Sequence, residues 1–210
     1  MDERSLLIKK MENAGILTNP SIKEALSAID RKDFVLPKHI DYAYVDRPLP
    51  IGKGQTISQP STVVFMLELL DVQKGHSVLD GGSGSGWTTA LLSHLVGSNG
   101  EVIAMELLDS IKDFGEQNYA KTKYQNAVFI QGNAAKGCPE KAPFDRILIS
   151  AAATAPPDAL ISQLALGGKL LIPLQDSRGN LLLLEKLGED DYKKSYYPGF
   201  AFVPFIDDHR

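Results

Sequence analysis

The run Val78-Leu79-Asp80-Gly81-Gly82-Ser83-Gly84-Ser85-Gly86-Trp87 sets four glycines within six residues, between a short apolar segment and a helix-like one. Glycine lets the backbone approach a ligand closely, and the N-terminus of the following helix favours negative or electron-rich groups. Glu106, 26 residues beyond Asp80, ends the next apolar segment. In a doubly wound sheet this places a carboxylate beside the first loop, where it accepts hydrogen bonds from both hydroxyls of a ribose. Asp80, Gly81, Gly82, Ser83, Gly84, Gly86 and Glu106 are therefore candidates for holding a ribose-bearing cofactor. Spacing narrows the choice. A dinucleotide fingerprint needs G-x-G-x-x-G. Here Gly82, Gly84 and Gly86 give G-x-G-x-G, and the third glycine of the dinucleotide pattern falls on Trp87. A P-loop is excluded because no Gly-Lys-Ser/Thr follows. The plainer alternative is a tight strand–helix turn without a ligand, but four glycines and a matched acid exceed what turning requires.

The elements that must position these residues can be read from apolar spacing. Leu6, Leu7 and Met11 mark a short helix ended by Gly15. Asn19-Pro20 reads as an N-cap with proline at the first helical position, followed by one face of Ile22, Ala25, Leu26 and Ile29. Periodicity vanishes from Arg31 to Pro60, and the aromatics there argue for an ordered loop. Val63, Met66, Leu67 and Leu70 mark another helix. From Ser77 apolar runs alternate with helical segments: Ser77–Leu79, Glu101–Met105, Ala127–Ile130, Arg146–Ser150 and Lys169–Pro173. Such alternation predicts an α/β, Rossmann-like doubly wound, mainly parallel sheet. Asn180–Leu187, Tyr192–Tyr197 and Phe200–Phe205 predict antiparallel C-terminal strands. One domain is expected over 1–210, with an N-terminal helical and loop extension (1–75) and a cofactor-binding sheet core (76–210). Asp207–Arg210 is too short for a role of its own.

Composition sets outer bounds. Apolar residues at 43% and charged residues at 23% are globular values. The net charge of −4 gives no basic footprint, so neither nucleic acid nor an anionic membrane is expected as a partner. Cys138 is the only cysteine, which excludes an intrachain disulfide and a cysteine-based zinc cluster. No metal is expected. The charged start of the chain lacks the apolar core of a signal peptide, and a cytoplasmic monomer is expected.

A G-x-G-x-G loop with an acid just before it is the pattern of S-adenosylmethionine-dependent methyltransferases. Other stretches carry a narrower resemblance. Phe34-Val35-Leu36-Pro37 and the run from Ala43 through Pro48-Leu49-Pro50-Ile51-Gly52 and Gln55-Thr56-Ile57-Ser58-Gln59-Pro60 are similar to the signature of protein-L-isoaspartate O-methyltransferases. Further matches are Ala142-Pro143-Phe144-Asp145, Ala151-Ala152-Ala153, Gln163-Leu164, Gly167-Gly168-Lys169-Leu170 and Phe202-Val203-Pro204. The resemblance spans about residues 5 to 205. It implies S-adenosyl-L-methionine as cofactor and methyl transfer to the free α-carboxylate of L-isoaspartyl residues in damaged proteins and peptides. It also implies that Ser58 is the hydroxyl that binds the substrate carboxylate. The chain departs from the family at two places. Asn133, in Gly132-Asn133-Ala134, replaces an aspartate close to the adenine, and Ser61 stands where tyrosine or histidine is usual.

Plainer roles stand beside these. Ser58 alone could satisfy a turn, and Asp46 could cap a helix, pair with Arg47 or belong to the site. Cys138 reads as a small loop residue, and the four histidines as surface or packing residues. Two other functions remain open: methylation of another substrate, and a cofactor-binding homologue without turnover.

Overall fold

The computed structural model describes residues 2–205. Helix α1 (Glu3–Asn13) starts at Asp2, whose carboxylate accepts from the Ser5 N–H at 2.8 Å. Helix α2 (Pro20–Ala28) starts at Asn19 in the same way, with Ser21 as donor at 2.8 Å, and buries Ile22, Ala25 and Leu26. Each cap satisfies an N–H that has no partner inside the helix.

Residues 31–60 are ordered, as their aromatics predict, but contain more than loop. They form two 3-10 turns (Arg31–Phe34 and Pro37–Tyr42) and a hairpin of β1 (Leu49–Gly52) and β2 (Gln55–Ile57). Strands of four and three residues are too short to show alternation, and Pro48 and Pro50 speak against a strand. Helix α3 (Pro60–Leu70) follows. Its C-terminal carbonyls are capped by Arg146, which donates from Nε to Leu70 O at 2.6 Å and from Nη2 to Asp71 O at 3.0 Å.

The main sheet comprises β3 (Ser77–Gly81), β4 (Glu101–Glu106), β5 (Ala127–Gln131), β6 (Phe144–Ile149), β7 (Leu164–Pro173), β8 (Leu181–Lys186) and β9 (Tyr192–Tyr197). Their order is β5-β4-β3-β6-β7-β8-β9. The first five run parallel, while β8 and β9 are antiparallel. Helices α4 (Trp87–Val96) and α5 (Asp109–Tyr119) join β3 to β4 and β4 to β5, and the short α6 (Asp158–Ser162) precedes β7. Adjacent residues of β3 face different cores. Val78 packs with α1–α4, and Leu79 with Phe144, Leu160 and Leu164. Burial on both faces explains why these strands read as continuous apolar runs.

One expected strand is absent. Phe200–Phe205 joins no strand of the sheet and makes an isolated bridge to the segment after β6 at Ala152, whose N–H donates to Val203 O and whose carbonyl accepts from the Phe205 N–H, both at 2.8 Å. Phe200 instead stacks on Phe65 of α3 with ring centroids 5.2 Å apart. The aromatic alternation that resembles a strand here serves a wall beside α3. Asp207–Arg210 lies outside the described residues, and among those described no helix is long and apolar enough to cross a membrane.

Candidate active site

Beyond β3 the chain winds outward through β4 and β5, and beyond β6 it winds the other way. Ligands of such sheets bind outside the carboxyl ends of the strands where this reversal falls. A cavity of about 690 Å³ lies there. The glycine loop after β3, Glu106 at the end of β4, Asn133 after β5, Ser150 after β6 and Ser58 after β2 all line it.

The glycine loop is held by its own backbone. The Gly82 and Ser83 N–H groups donate to Met105 O at 2.8 and 3.2 Å. Gly82 and Gly84 have φ values of +76° and +54°, left-handed conformations that side chains strain to adopt. The Glu106 carboxylate is oriented from both sides, accepting from the Gly84 N–H at 3.1 Å and the Leu108 N–H at 3.1 Å. Helix α5 braces the same loop. Asn118 Nδ2 donates to Ser85 O at 3.1 Å, and a Cβ on Gly115 would lie 2.5 Å from Gly84 O. Only a glycine lets the helix come this near.

Of the residues expected to hold the cofactor, Gly82, Ser83, Gly84, Glu106 and Asn133 line the cavity. Asp80, Gly81 and Gly86 do not, for identifiable reasons. Gly81 is a packing glycine, because a Cβ there would lie 2.5 Å from Ile149 Cδ1 and 2.8 Å from Ala134 Cβ. Gly86 accommodates α5, with a Cβ falling 2.6 Å from Gly115 O. Asp80 is fully buried behind the loop, and its Oδ2 accepts from the Thr89 hydroxyl at 2.6 Å. Its Oδ1 is buried without a partner. Burial pushes this carboxyl up to about 7; the Thr89 hydrogen bond acts against that shift, and the neighbouring Glu106 charge adds to it.

Asn133 plays a second part while lining the cavity. Its Oδ1 accepts from the Ala135 N–H at 2.9 Å and caps the 3-10 turn Ala134–Lys136. Asp46 caps a helix: it accepts from the Ser61 N–H at 2.9 Å at the start of α3 and from Gln59 Nε2 at 3.1 Å. Gln59 Nε2 also donates to Ser61 Oγ at 2.9 Å, which ties the segment carrying Ser58 to α3. Cys138 is buried, its N–H donating to Gln163 Oε1 at 2.8 Å, and burial raises its thiol pKa.

Sequence spacing missed several contributors. Gly115 offered one signal, an isolated glycine inside an apolar helical pattern. Thr89 and Asn118 offered none, because their partners come from loop and strand geometry. Phe202-Val203-Pro204 was visible as a motif, yet its place on the cavity wall follows only from the path of the chain after β9.

The donor set fits a nucleoside-bearing cofactor. Glu106 offers fixed acceptor oxygens, Gly82 and Gly84 leave the backbone bare, and the buried Ser83 Oγ at the cavity wall lacks a partner. Fold and site together define the class of S-adenosylmethionine-dependent methyltransferases. The family model "Protein-L-isoaspartate(D-aspartate) O-methyltransferase" matches residues 2–210, and the chain belongs to that family. A protein-L-isoaspartate O-methyltransferase of Methanopyrus kandleri is 41% identical over 97% of this chain and 91% of its own. That of Thermococcus sibiricus is 41% identical over 100% of this chain and 98% of its own. A beta-aspartate methyltransferase from Plasmodium falciparum, solved in complex with S-adenosyl-L-homocysteine, superposes with a TM-score of 0.87 at 25% identity, covering 98% of this chain and 99% of that one.

Proposed function

We propose that the protein transfers a methyl group from S-adenosyl-L-methionine to the free α-carboxylate of L-isoaspartyl residues in damaged proteins and peptides. One observation carries the reading. Ser58, in the segment that resembles the isoaspartyl enzymes, lines the same cavity as the glycine loop and Glu106.

When bound, the cofactor supplies a methyl group on a sulfonium that leaves as a neutral thioether. Glu106, fixed by two backbone N–H groups, accepts from the ribose hydroxyls. Gly82, Ser83 and Gly84 would cradle the amino-acid end, and Asp80, buried behind the loop, would face its ammonium directly or through water. Asn133 borders the adenine. Ser58 donates to the substrate carboxylate and orients it. That carboxylate is ionised at neutral pH, with a reference pKa of roughly 3.5–4, so no general base is required. Positioning is then the main task of the site, worth roughly 7–11 kcal/mol in favourable cases. Exclusion of water by the aromatic C-terminal wall helps further, because opposite charges cancel as the methyl moves.

The chain acts as one methyltransferase domain in this reading. Residues 1–75 supply the helices and the substrate-site loop, and 76–210 the cofactor-binding core. It works as a monomer in the cytoplasm without nucleic-acid or membrane partners, in keeping with its net charge of −4. The test is repair itself. Aged, isoaspartate-rich protein incubated with enzyme and cofactor should lose isoaspartate over repeated rounds of methylation and ester hydrolysis. An unchanged isoaspartate content would overturn the reading.

A further inference from the structure

We propose that Lys121 is a positioning residue for the cofactor loop: it holds the Asn118 amide against Ser85 O and ties that brace to the N-terminal extension. The inference rests on the glycine loop being the cradle of the cofactor.

Ser85 lies in that loop and lines the active-site cavity, and its carbonyl accepts from Asn118 Nδ2 at 3.1 Å. A side-chain amide can present either end to a neighbour, and its partners decide which. A carbonyl only accepts, so Ser85 O requires the nitrogen. An ammonium only donates, so Lys121 requires the oxygen, and its Nζ donates to Asn118 Oδ1 at 2.8 Å. The two contacts therefore demand the same orientation. Asn118 is 2% exposed, and Lys121 is the one donor to that oxygen among the described residues. Without the lysine the oxygen loses its partner at a cost. The side chain then regains a donor by swinging towards water, which releases Ser85 O.

Lys121 also reaches the other half of the chain. Its Nζ donates to Asp33 O at 3.1 Å, in the 3-10 turn Arg31–Phe34. That turn is anchored by the fully buried Phe34. It meets the glycine loop at a second point as well, where the Arg31 guanidinium carbon lies 4.4 Å from the centre of the Trp87 ring. Trp87 opens α4 two residues after Ser85. One turn of the extension thus bears twice on the end of the loop, on Ser85 through Lys121 and Asn118 and on Trp87 through Arg31. A loop held this way is ready before the cofactor arrives, and apparent affinity scales with the fraction of molecules in the ready state. A plainer role for a lysine just past a helix is to offset the negative end of that helix. Such a role would change stability and leave cofactor affinity alone.

Calorimetric titration of S-adenosyl-L-homocysteine into the full chain separates the two roles. Lys121→Met should weaken binding by roughly three- to tenfold, the span of one net hydrogen bond. Turnover at saturating cofactor should stay close to that of wild type. Asn118→Ala should weaken binding at least as much, and adding Lys121→Met to it should cause no further loss, because the lysine acts through the amide. Wild-type affinity in folded Lys121→Met overturns the proposal, as do losses that multiply in the double variant. Should Asn118→Ala fail to fold, the single lysine variant decides. A wild-type protein that does not bind would overturn the cofactor site itself, and this proposal with it.

Discussion

Ser58 and Asn133 both stand at the cavity, but the sequence speaks about them in different ways. Ser58 carries no periodicity or spacing signal of its own, and only its resemblance to a family motif singles it out. Its proposed work is to hold a charged acceptor, and a hydrogen bond to an ionised group contributes roughly 1.5–3 kcal/mol. Ser58→Ala should therefore lower turnover roughly ten- to hundredfold and leave cofactor affinity nearly unchanged. Steady-state kinetics beside calorimetric titration separates the two, and wild-type turnover in the variant would remove Ser58 from the mechanism. Asn133 is legible as a departure from the family, whereas its engagement with the Ala135 N–H is not, because that contact depends on the turn after β5. Aspartate would keep this cap with one oxygen and offer the adenine amine a second, anionic one. Asn133→Asp is expected to tighten cofactor binding several-fold, on the order of 1 kcal/mol. Equal or weaker binding would place the side chain away from the adenine.

Among the elements, α5 shows what spacing reveals and what it hides. Ile111, Phe114 and Tyr119 between two apolar runs mark it as a helix, while nothing in the sequence signals its role in bracing the glycine loop. That role depends on Gly115 meeting Gly84 O and on Asn118 meeting Ser85 O, contacts between segments about 30 residues apart. Gly115→Ala sets two effects against each other. Alanine improves helix propensity by about 1 kcal/mol. A Cβ 2.5 Å from a backbone oxygen must push that backbone aside, at roughly 1–3 kcal/mol. The second effect should win, lowering both stability and cofactor affinity. A variant at least as stable as wild type by denaturant titration would show that the loop yields freely. The hairpin β1–β2 and the wall at Phe200–Phe205 were illegible for related reasons: the first is too short for a pattern, and the second has a strand-like pattern but a different partner.

For the molecule as a whole, strand–helix alternation sufficed to predict a parallel sheet with antiparallel strands at its end. The buried Asp80 carboxyl, by contrast, has energetic consequences that only the structure reveals. Its folded pKa of about 7 exceeds the ordinary 3.8. Between these values the folded chain keeps the proton that the unfolded chain has lost, so the stability of the cofactor-free protein falls as pH rises through that window. Above about 7 both states are ionised and the decline ends. Asp80→Asn retains an acceptor for the Thr89 hydroxyl and lacks this loss. The variant should gain on wild type progressively from about pH 4 to pH 7, by about 1.4 kcal/mol per pH unit at most. Parallel stability–pH curves for the two proteins would contradict the burial argument. An acid retained at such a cost beside a cofactor loop suits a site that works with a cationic ligand in place.

Methyl transfer to a peptide containing one L-isoaspartyl residue, compared with its normal aspartyl twin, tests the central claim most directly. With labelled S-adenosylmethionine, the enzyme should label the isoaspartyl peptide and leave the twin unlabelled. The label should be lost as methanol in base, as an ester requires. Equal labelling of both peptides, or cofactor binding with no transfer to either, would contradict the account.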